Sequence, residues 1–516
     1  MSNQENDDSL LTLIRSLTKS EKRYLKLFTQ RSGLKKEALG FITLFDVIDK
    51  TPSIEYTIIR KQMPDISKKK FSDLKRNLYS QILMALRVYN SKKDDHLVST
   101  KIENARILYK KGLIKNSLIE LEKAKAIALR RNNYMKALEV VHSVKKIELR
   151  HITRSHFERA AELEKEGKLY KEIVRSESDW LDFSLKIYAY YIKNGHVRND
   201  DQLNEINVLF NSQKPKENKK RTNSFFEQLN QIQSYTWYYF VIQNFIAGYK
   251  NNRKWIELFD EYPKFKQRYP HTYIRGYHNC LSVLYNCLDY RRHTYYLNAA
   301  EDYISKNTFD DNTNQKIFIY INTAKLNEIV LTGTFSQSKK YLEELEMKLN
   351  QRNWHLDEYR NMVFWYKMAS IYFTMGDHDN CQRLLNFIIN PNQKSLREDI
   401  QCFARLLNII NHYEQQNFEL LSHLIVSTYR FLFKMKHITQ IHKTIIQFLK
   451  SSLYMEQKEL KSAFFELHKK LTDLSRDPYE KRSFLYLDFL SWLESKIKNI
   501  PVEAIIHSKR LDQKVV

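Results

Sequence analysis

Residues 365–385 read WYKMASIYFTMGDHDNCQRLL, and this stretch has the pattern of a tight helical hairpin. Glycine at the midpoint suits a turn, because glycine adopts the left-handed backbone conformation at low cost. Small side chains on either side allow two helices to cross closely. The positions that define the pattern are Trp365, Ala369, Tyr372, Gly376, Cys381 and Leu385. The stretch therefore predicts helix, turn and helix.

These six residues resemble the tetratricopeptide repeat, a family of stacked helical hairpins. Weaker copies of the pattern surround Gly112 and Gly333. The resemblance implies a groove that binds a protein or peptide. In the subclass that holds the acidic tails of chaperones, Lys and Asn line that groove, whereas this chain has Tyr366, Lys367 and Ser370 at the corresponding places. Chaperone-tail binding is therefore not predicted.

The pattern extends along the chain with a period of about 40 residues, which is typical of helical-repeat arrays. Polar turns are predicted near Arg253, Arg292, Gly333, Gly376, Gln416 and Lys458. The 516 residues include 9 Gly and 8 Pro, too few for a fold built mainly of hairpins or βαβ units. We predict an all-α protein with an N-terminal small helical bundle followed by a right-handed α-solenoid of tetratricopeptide-like hairpins.

The segment at 211–224, NSQKPKENKKRTNS, contains no residue that could join a hydrophobic core, so it predicts a polar and basic linker. Pro501 breaks the helix before it, and the apolar residues after it could dock back on the array, which leaves open whether the groove holds a peptide or this segment. The predicted domains are 1–95 (basic bundle), 96–210 (first hairpins), 211–224 (linker), 225–500 (solenoid) and 501–516 (C-terminal segment).

The N-terminal bundle begins with a capping box, in which the side chains of Thr18 and Glu21 each accept a backbone N–H of the other residue. The strings SLTKSEKRYLKLF (16–28) and LYSQILMALRVY (78–89) resemble an uncharacterised bacterial family of helical-repeat proteins. That resemblance implies a fold and no activity. The helices predicted at 53–63 and 67–90 also fit a DNA-binding helix-turn-helix, or an ordinary bundle that caps the array.

The net charge of +25 is concentrated near the N-terminus, since the first 150 residues contribute +15. A folded basic surface binds an acidic protein or nucleic acid, although a lysine-rich wet face without a ligand remains an alternative. The candidate binding residues are Lys68, Lys69, Lys70, Lys75, Arg76, Lys110, Lys111, Arg130 and Arg131.

Spacing argues against most enzyme classes. The nine glycines are too far apart for a phosphate loop or a nucleophile elbow, and no two histidines have the spacing of an HExxH motif. The four cysteines contain no C-x-x-C pair, and scattered thiols are typical of a reducing compartment. No leader or membrane-spanning run is recognisable. We expect a cytoplasmic protein without metal, cofactor or evident small-molecule substrate.

Paired carboxylates are the remaining candidates for catalysis, but they occupy predicted turns and lack a companion motif. They are Asp94/Asp95, Asp200/Asp201, Asp310/Asp311 and Asp377/Asp379. Three hypotheses remain, with an enzyme ranked last. The first is a non-enzymatic scaffold that mediates protein–protein interaction, with its basic N-terminal region docking an acidic partner. The second is a protein that binds nucleic acid or the ribosome through its first 150 residues.

Overall fold

The computed structural model describes residues 3–31, 35–51, 56–64, 66–90, 94–151, 157–216, 224–351, 356–390, 398–435 and 439–515. These residues form 25 α-helices and two short 3-10 helices, and they contain no β-strand. The prediction of an all-α protein is confirmed for this part of the chain. Contacts divide the chain into two compact units, residues 1–175 and residues 176–516, which we describe separately.

The first unit contains eight helices and the beginning of a ninth. They are α1 (Asn3–Ser16), α2 (Lys19–Arg31), α3 (Lys35–Lys50), α4 (Tyr56–Gln62), α5 (Lys68–Asn90), α6 (Asp94–Lys110), α7 (Ile114–Arg130), α8 (Tyr134–Arg150) and α9 (Phe157–Asn194). One core cluster lies among α1–α5, and a second lies among α6–α9. This unit is therefore built from two helical groups with their own apolar interiors.

The start of α2 has the capping box that the sequence predicts. The Glu21 carboxylate accepts the Thr18 backbone N–H at 2.9 Å, and the Thr18 hydroxyl accepts the Glu21 N–H at 3.2 Å. Both bonds satisfy backbone donors that the first helical turn leaves without intrahelical partners. Helices α4 and α5 lie close to the predicted bounds, while residues 52–55 and Asp65 are outside the described residues.

The second unit contains the end of α9 and sixteen further helices. They are α10 (Asp200–Gln213), α11 (Phe225–Val241), α12 (Phe245–Glu261), α13 (Pro263–Arg268), α14 (Pro270–Asn286), α15 (Tyr290–Ser305), α16 (Asp311–Thr332), α17 (Lys339–Asn350), α18 (Glu358–Thr374), α19 (His378–Ile389), α20 (Glu398–Glu414), α21 (Phe418–Lys434), α22 (Gln440–Ser452), α23 (Gln457–Arg476), α24 (Phe489–Lys498) and α25 (Val502–Val515). The 3-10 helices are Ser336–Ser338 and Lys481–Leu485.

Helices of the second unit pack in a regular order. Helices α14, α16, α18, α20 and α22 contact one another in that sequence. Helices α15, α19 and α21 each pack against the helix before and the helix after them. Consecutive antiparallel packing of this kind is compatible with stacked helical hairpins.

Seven turns in the described residues share one construction. A residue with positive φ ends the helix, and the next residue donates its N–H to a carbonyl five positions earlier, as in a Schellman motif. Asp377, for example, donates to Tyr372 O at 2.9 Å and caps α19 by accepting the Asn380 N–H. The positive-φ residues of these turns are Gly112, Asn132, Gln243, Leu288, Gly376, Gln416 and Asn499. The same turn thus recurs although only two of the seven positions are glycine.

Five of the six predicted turns lie at or near a turn of the structure, and one is wrong. Gly333, Gly376 and Gln416 have positive φ and end helices. The turns at Leu288 and at 453–456 lie a few residues before Arg292 and Lys458. Arg253 instead lies in the middle of α12, whose preceding turn is at Gln243.

The polar segment at 211–224 and the C-terminal segment adjoin helices. Helix α10 continues to Gln213, the Ser224 hydroxyl caps α11 by accepting the Glu227 N–H at 3.0 Å, and residues 217–223 are outside the described residues. After Pro501 the chain forms α25, whose Ile505 and Ile506 are each 4% exposed. Helix α25 contacts α24 and α16, so the C-terminal segment covers part of the second unit.

Candidate functional site

A segment that is not α-helical connects α23 to α24, and we call Asp477–Asp488 the connecting segment. Pro478 prevents α23 from continuing, because proline lacks the N–H that the next helical turn requires. The Asp477 carboxylate accepts the N–H groups of Tyr479 at 2.8 Å and Glu480 at 3.0 Å, which folds the chain into a turn. The 3-10 helix Lys481–Leu485 follows.

Side chains from distant helices hold the backbone of the connecting segment. The Tyr285 hydroxyl on α14 donates to Leu485 O at 2.9 Å, and the Tyr366 hydroxyl on α18 donates to Tyr486 O at 3.1 Å. Burial raises the pKa of Tyr285 to about 12 and that of Tyr366 well above its ordinary value, so both hydroxyls remain donors at neutral pH. The segment is therefore anchored through its main chain.

Side chains of the connecting segment complete this attachment. The Glu480 carboxylate accepts the Gln440 N–H at 2.8 Å and so caps α22. The Tyr486 ring stacks on Phe403 with centroids 4.1 Å apart and planes 5° apart, while its hydroxyl donates to Asp399 at 2.8 Å. One short segment thus contacts α14, α18, α20 and α22.

A cavity of about 780 Å³ lies on one side of the connecting segment. Its walls combine apolar side chains with a cationic part formed by Lys481, Arg482, Lys509 and Arg510. The apolar residues include Ile242, Phe245, Leu288, Phe335, Leu490 and Ile506. This volume and mixture of walls are ordinary for a ligand site in a protein.

A second cavity, of about 470 Å³, lies against the same segment. Arg198, Asp399, Cys402, His442 and Tyr479 are among its walls. It shares Gln243, Arg482 and Tyr486 with the first cavity. These three residues therefore separate the two spaces and face both.

The guanidinium groups of Arg198 and Arg482 have hydrogen-bond donors to spare. Burial lowers the pKa of Arg198, and the nearby Arg482 lowers it further while Asp399 opposes the shift. Within the described ranges, neither guanidinium forms a hydrogen bond or a carboxylate ion pair, and Arg482 lies 5.7 Å from the centre of the Tyr486 ring. Such donors suit a carboxylate or another planar anion.

Gln243 contributes an acceptor at the same place. Its φ of 58° puts it in the left-handed region, and its side-chain amide donates to Val197 O at 2.9 Å. The residue is 8% exposed, and its Oε1 has no hydrogen-bond partner among the described residues. A buried amide oxygen without a partner costs about 1–3 kcal/mol, which a ligand carrying an N–H or O–H group would offset.

The sequence did not identify Arg198, Gln243, Tyr285, Arg482 or Tyr486 as site residues. They come from a loop, a turn, the end of α14 and the connecting segment, so no local motif unites them. One signal was available: the string DPYEKRSF at 477–484 interrupts the helical periodicity and contains Pro478. That signal indicates an interruption of the helical pattern at this segment. It does not show which residues pack against the segment.

The candidate cations on α5 lie at its N-terminal end. Lys68, Lys69 and Lys70 are exposed in its first turn, which contains no acidic residue. The Lys75 ammonium is 4.7 Å from the centre of the Phe71 ring, and Arg76 pairs with Asp73 at 3.0 Å. Three lysines at the positive end of a helix dipole are unfavourable for folding, so stability does not account for them.

The other candidate cations are divided between the two ends of α7. Lys110 and Lys111 are exposed at the turn before α7, while Arg130 is exposed at its last residue. Since α7 has 17 residues, about 25 Å separates these ends. Arg131 is 5% exposed and so does not belong to an accessible surface. The structure does not bring these two pairs into one patch.

The residues of the hairpin at 365–385 are placed as close helix packing requires. Ala369, Cys381 and Leu385 are 0% exposed, and Tyr372 is 1% exposed. The rings of Trp365 and Phe387 have centroids 5.6 Å apart, which joins α18 to α19. Gly376 has a φ of 79° and ends α18.

In two of the four carboxylate pairs, one member is a helix cap. Asp310 accepts the Thr313 N–H at 3.0 Å. Burial raises the pKa of Asp310, but its hydrogen bonds lower that pKa by more, so the net shift is downward. Asp377 acts in the same way on α19. In the described residues, no group of three or more His, Cys, Asp or Glu side chains could hold a metal ion, and no helix is both long and apolar enough to cross a membrane.

Comparison of this chain with protein-family models, with curated proteins and with solved structures found no match. The candidate site therefore rests on the geometry of the two cavities and on the basic start of α5.

Proposed function

We propose that this chain is a non-enzymatic helical-repeat scaffold that binds protein partners. The proposed architecture is a small N-terminal bundle followed by a right-handed α-solenoid of tetratricopeptide-like hairpins. The order of contacts among α14–α22 and the seven turns of one construction support it. The use of Asp310 and Asp377 as helix caps gives these carboxylates a structural role without catalysis.

The observation that carries the proposal is the set of spare hydrogen-bonding groups beside the connecting segment. In the second cavity, Arg198 and Arg482 offer donors and Gln243 offers an acceptor. Tyr285, a wall of the adjoining first cavity, already holds a polypeptide main chain at Leu485. A peptide carries both main-chain N–H groups and carboxylates, so it satisfies all three residues. We propose that a partner peptide lies in the second cavity, which these three residues line.

The basic N-terminal region docks an acidic surface of the partner. The exposed Lys68, Lys69 and Lys70 support this part of the proposal, since no carboxylate in the first turn of α5 neutralises them. A cytoplasmic setting is supported by the four cysteines, all of which are free thiols. Binding of nucleic acid or the ribosome by the same lysines is the alternative.

The test is affinity capture from a host extract, with and without nuclease, using three proteins. These are the wild type, a variant with Lys68→Glu, Lys69→Glu and Lys70→Glu, and a control with Lys115→Glu, Lys146→Glu and Lys165→Glu. The control lysines are exposed in the same unit, so both variants have the same net charge. A protein captured despite nuclease, kept by the control and lost by the first variant, supports the proposal.

Two results overturn the scaffold proposal. If nuclease releases everything captured, and the logarithm of affinity falls with log salt by about 0.9 per neutralised phosphate for a duplex or about 0.7 for a single strand, the chain binds nucleic acid. If neither protein nor nucleic acid is retained above the level of an unrelated basic protein, it is not a binding scaffold. Arg482→Glu separately tests the cavity, with Arg253→Glu as control because the Arg253 side chain is 54% exposed on α12 and lines neither cavity.

A further inference from the structure

Helix α9 is apolar on two opposite faces within the second unit. One face buries Trp180, Phe183 and Ile187 in a core cluster with α10 and α11. The opposite face exposes Leu181 (54%), Leu185 (63%), Tyr188 (38%) and Ile192 (62%), which we call the α9 stripe. Spacings of four, three and four residues place them in one line along the helix. A continuous line of exposed apolar side chains is typical of an interaction surface, so the stripe is expected to have a cover.

Charges beside the stripe have opposite signs at its two ends. Asp182 lies beside Leu181, and Lys193 lies beside Ile192. Both are exposed, and within the described residues neither belongs to an ion pair. Lys186, between them, donates to the Gln213 side chain at 3.0 Å. The stripe is therefore an apolar seam with an acidic end and a basic end.

We propose that the α9 stripe is the interface of a homodimer in which α9 of a second copy packs antiparallel. Antiparallel pairing places Leu181 against Ile192 of the second copy and Leu185 against Tyr188 of the second copy. It also places Asp182 near Lys193 of the second copy, twice by symmetry. Parallel pairing would instead place Lys193 at the opposite end of the interface from Asp182 of the second copy, so these charges would not pair. A second copy thus matches both the apolar line and the charges.

The dimensions of the stripe define the strength of the expected dimer. Eleven residue steps from Leu181 to Ile192 correspond to about 17 Å of helix. An interface of this length belongs to the small class of specific interfaces, below about 1,200 Å² in total. Dimerisation is therefore reversible and depends on concentration, and it is measurable by sedimentation equilibrium over a wide range of protein concentration.

The first arm of the experiment uses matched aspartate substitutions in the full chain. Leu185→Asp introduces a charge in the centre of the stripe and abolishes dimerisation. Phe433→Asp is the control, because Phe433 is 70% exposed on α21 and lies outside the stripe. Circular dichroism verifies that both variants keep the helix content of the wild type. A dimer that survives Leu185→Asp, or is lost in Phe433→Asp instead, overturns the proposal.

The second arm tests the charges and does not depend on the core of the helix. Asp182→Lys and Lys193→Asp each create two symmetric like-charge contacts, so each weakens the dimer by about fivefold. The double variant restores the pairing and recovers the wild-type dissociation constant. Equal weakening in the double variant contradicts antiparallel pairing, as does a complete lack of dimer in the wild type.

The third arm measures orientation by disulfide formation. Cys287 is exposed and is changed to serine in the background, while Cys280, Cys381 and Cys402 are buried. A mixture of Leu181→Cys chains with Ile192→Cys chains forms a mixed disulfide dimer on mild oxidation. Leu181→Cys chains alone do not, since their thiols lie at opposite ends of the interface. Rapid disulfide formation by Leu181→Cys alone overturns the antiparallel arrangement.

Discussion

The Tyr285 hydroxyl donates a hydrogen bond to the Leu485 carbonyl at 2.9 Å, although 200 positions separate the two residues. Tyr285 lies in the last turn of α14, while Leu485 belongs to the connecting segment Asp477–Asp488. This bond, together with that from Tyr366 to Tyr486 O, fixes the wall that divides the two cavities. Four predictions follow from this arrangement and from the turns and buried groups of the second unit.

Removal of the tyrosine hydroxyls loosens the connecting segment. In Tyr285→Phe with Tyr366→Phe, each lost bond leaves a carbonyl without its donor and costs about 1 kcal/mol. Local opening then becomes roughly fivefold or more frequent, and trypsin cleaves faster after Lys481 and Arg482. Peptide mapping of a limited digest measures this. Tyr295→Phe is the control, because Tyr295 is 68% exposed, and an unchanged rate in the double variant contradicts the anchoring role.

One thiol of four reacts in the folded protein. Cys287 is exposed, whereas Cys280, Cys381 and Cys402 are buried, and burial raises the pKa of each buried thiol, to about 12 for Cys402. Since the thiolate is the reactive form, Ellman's reagent labels Cys287 under native conditions and all four after unfolding. Cys287→Ser removes the native signal. Rapid labelling of a second thiol in that variant would show that the helices open.

Exchanging glycine and glutamine at two turn residues with positive φ is expected to change stability in opposite directions. Gly376→Gln places a side chain in the left-handed region at φ 79° and lowers the free energy of unfolding by about 1 kcal/mol. Gln416→Gly relieves the same strain at φ 60° and raises the melting temperature. Both positions are exposed, so packing changes little. Calorimetry measures the pair, and destabilisation by both exchanges would exclude a conformational cause.

Acid destabilises the second unit through His278, which is half-buried, and His293, which is buried. Burial, together with Arg275 beside His278 and Lys367 beside His293, lowers the pKa of both imidazoles to about 4. In the unfolded chain the value is near 6.5, so the unfolded state binds more protons between pH 6.5 and 4. The histidines' contribution is therefore complete above pH 6.5 and is lost as pH falls toward 4.

Urea unfolding at several pH values measures this loss, with His293→Phe as the informative variant. Neither ring nitrogen of His293 has a hydrogen-bond partner among the described residues, so phenylalanine leaves no group unsatisfied. The variant reduces the difference between pH 6.5 and pH 5 by about 2 kcal/mol. His423→Phe on the exposed surface of α21 serves as control. An identical pH dependence in wild type and His293→Phe contradicts the prediction.

The helices could be predicted because their signals are local. Periodic apolar residues, the capping box at Thr18 and the small residues Ala369 and Cys381 all act within a few turns of one helix. Turns were predicted only in part, because Gln243 and Leu288 adopt the left-handed conformation expected of glycine. An Asn or Asp followed by an aromatic residue comes after both, as it does after Gln416, and this signal does not depend on glycine.

The candidate site could not be predicted, because its residues are distant in sequence. Arg198, Gln243 and Arg482 become neighbours only when the connecting segment packs against helices that precede it by up to 280 residues or so. The distribution of charge along the sequence has the same limit. Lys110 and Lys111 are near Arg130 and Arg131 in sequence, but α7 separates the two pairs and burial removes Arg131 from the surface.

By itself, the sequence determined that the described chain is helical and that its positive charge is concentrated in the first 150 residues. Both properties are sums over local features, namely apolar periodicity, scarce glycine and proline, and residue type. Only the tertiary structure decided where the cavities lie, which guanidinium groups have no partner and which face of α9 stays exposed. These depend on packing between elements far apart in the chain, and no local pattern encodes that packing.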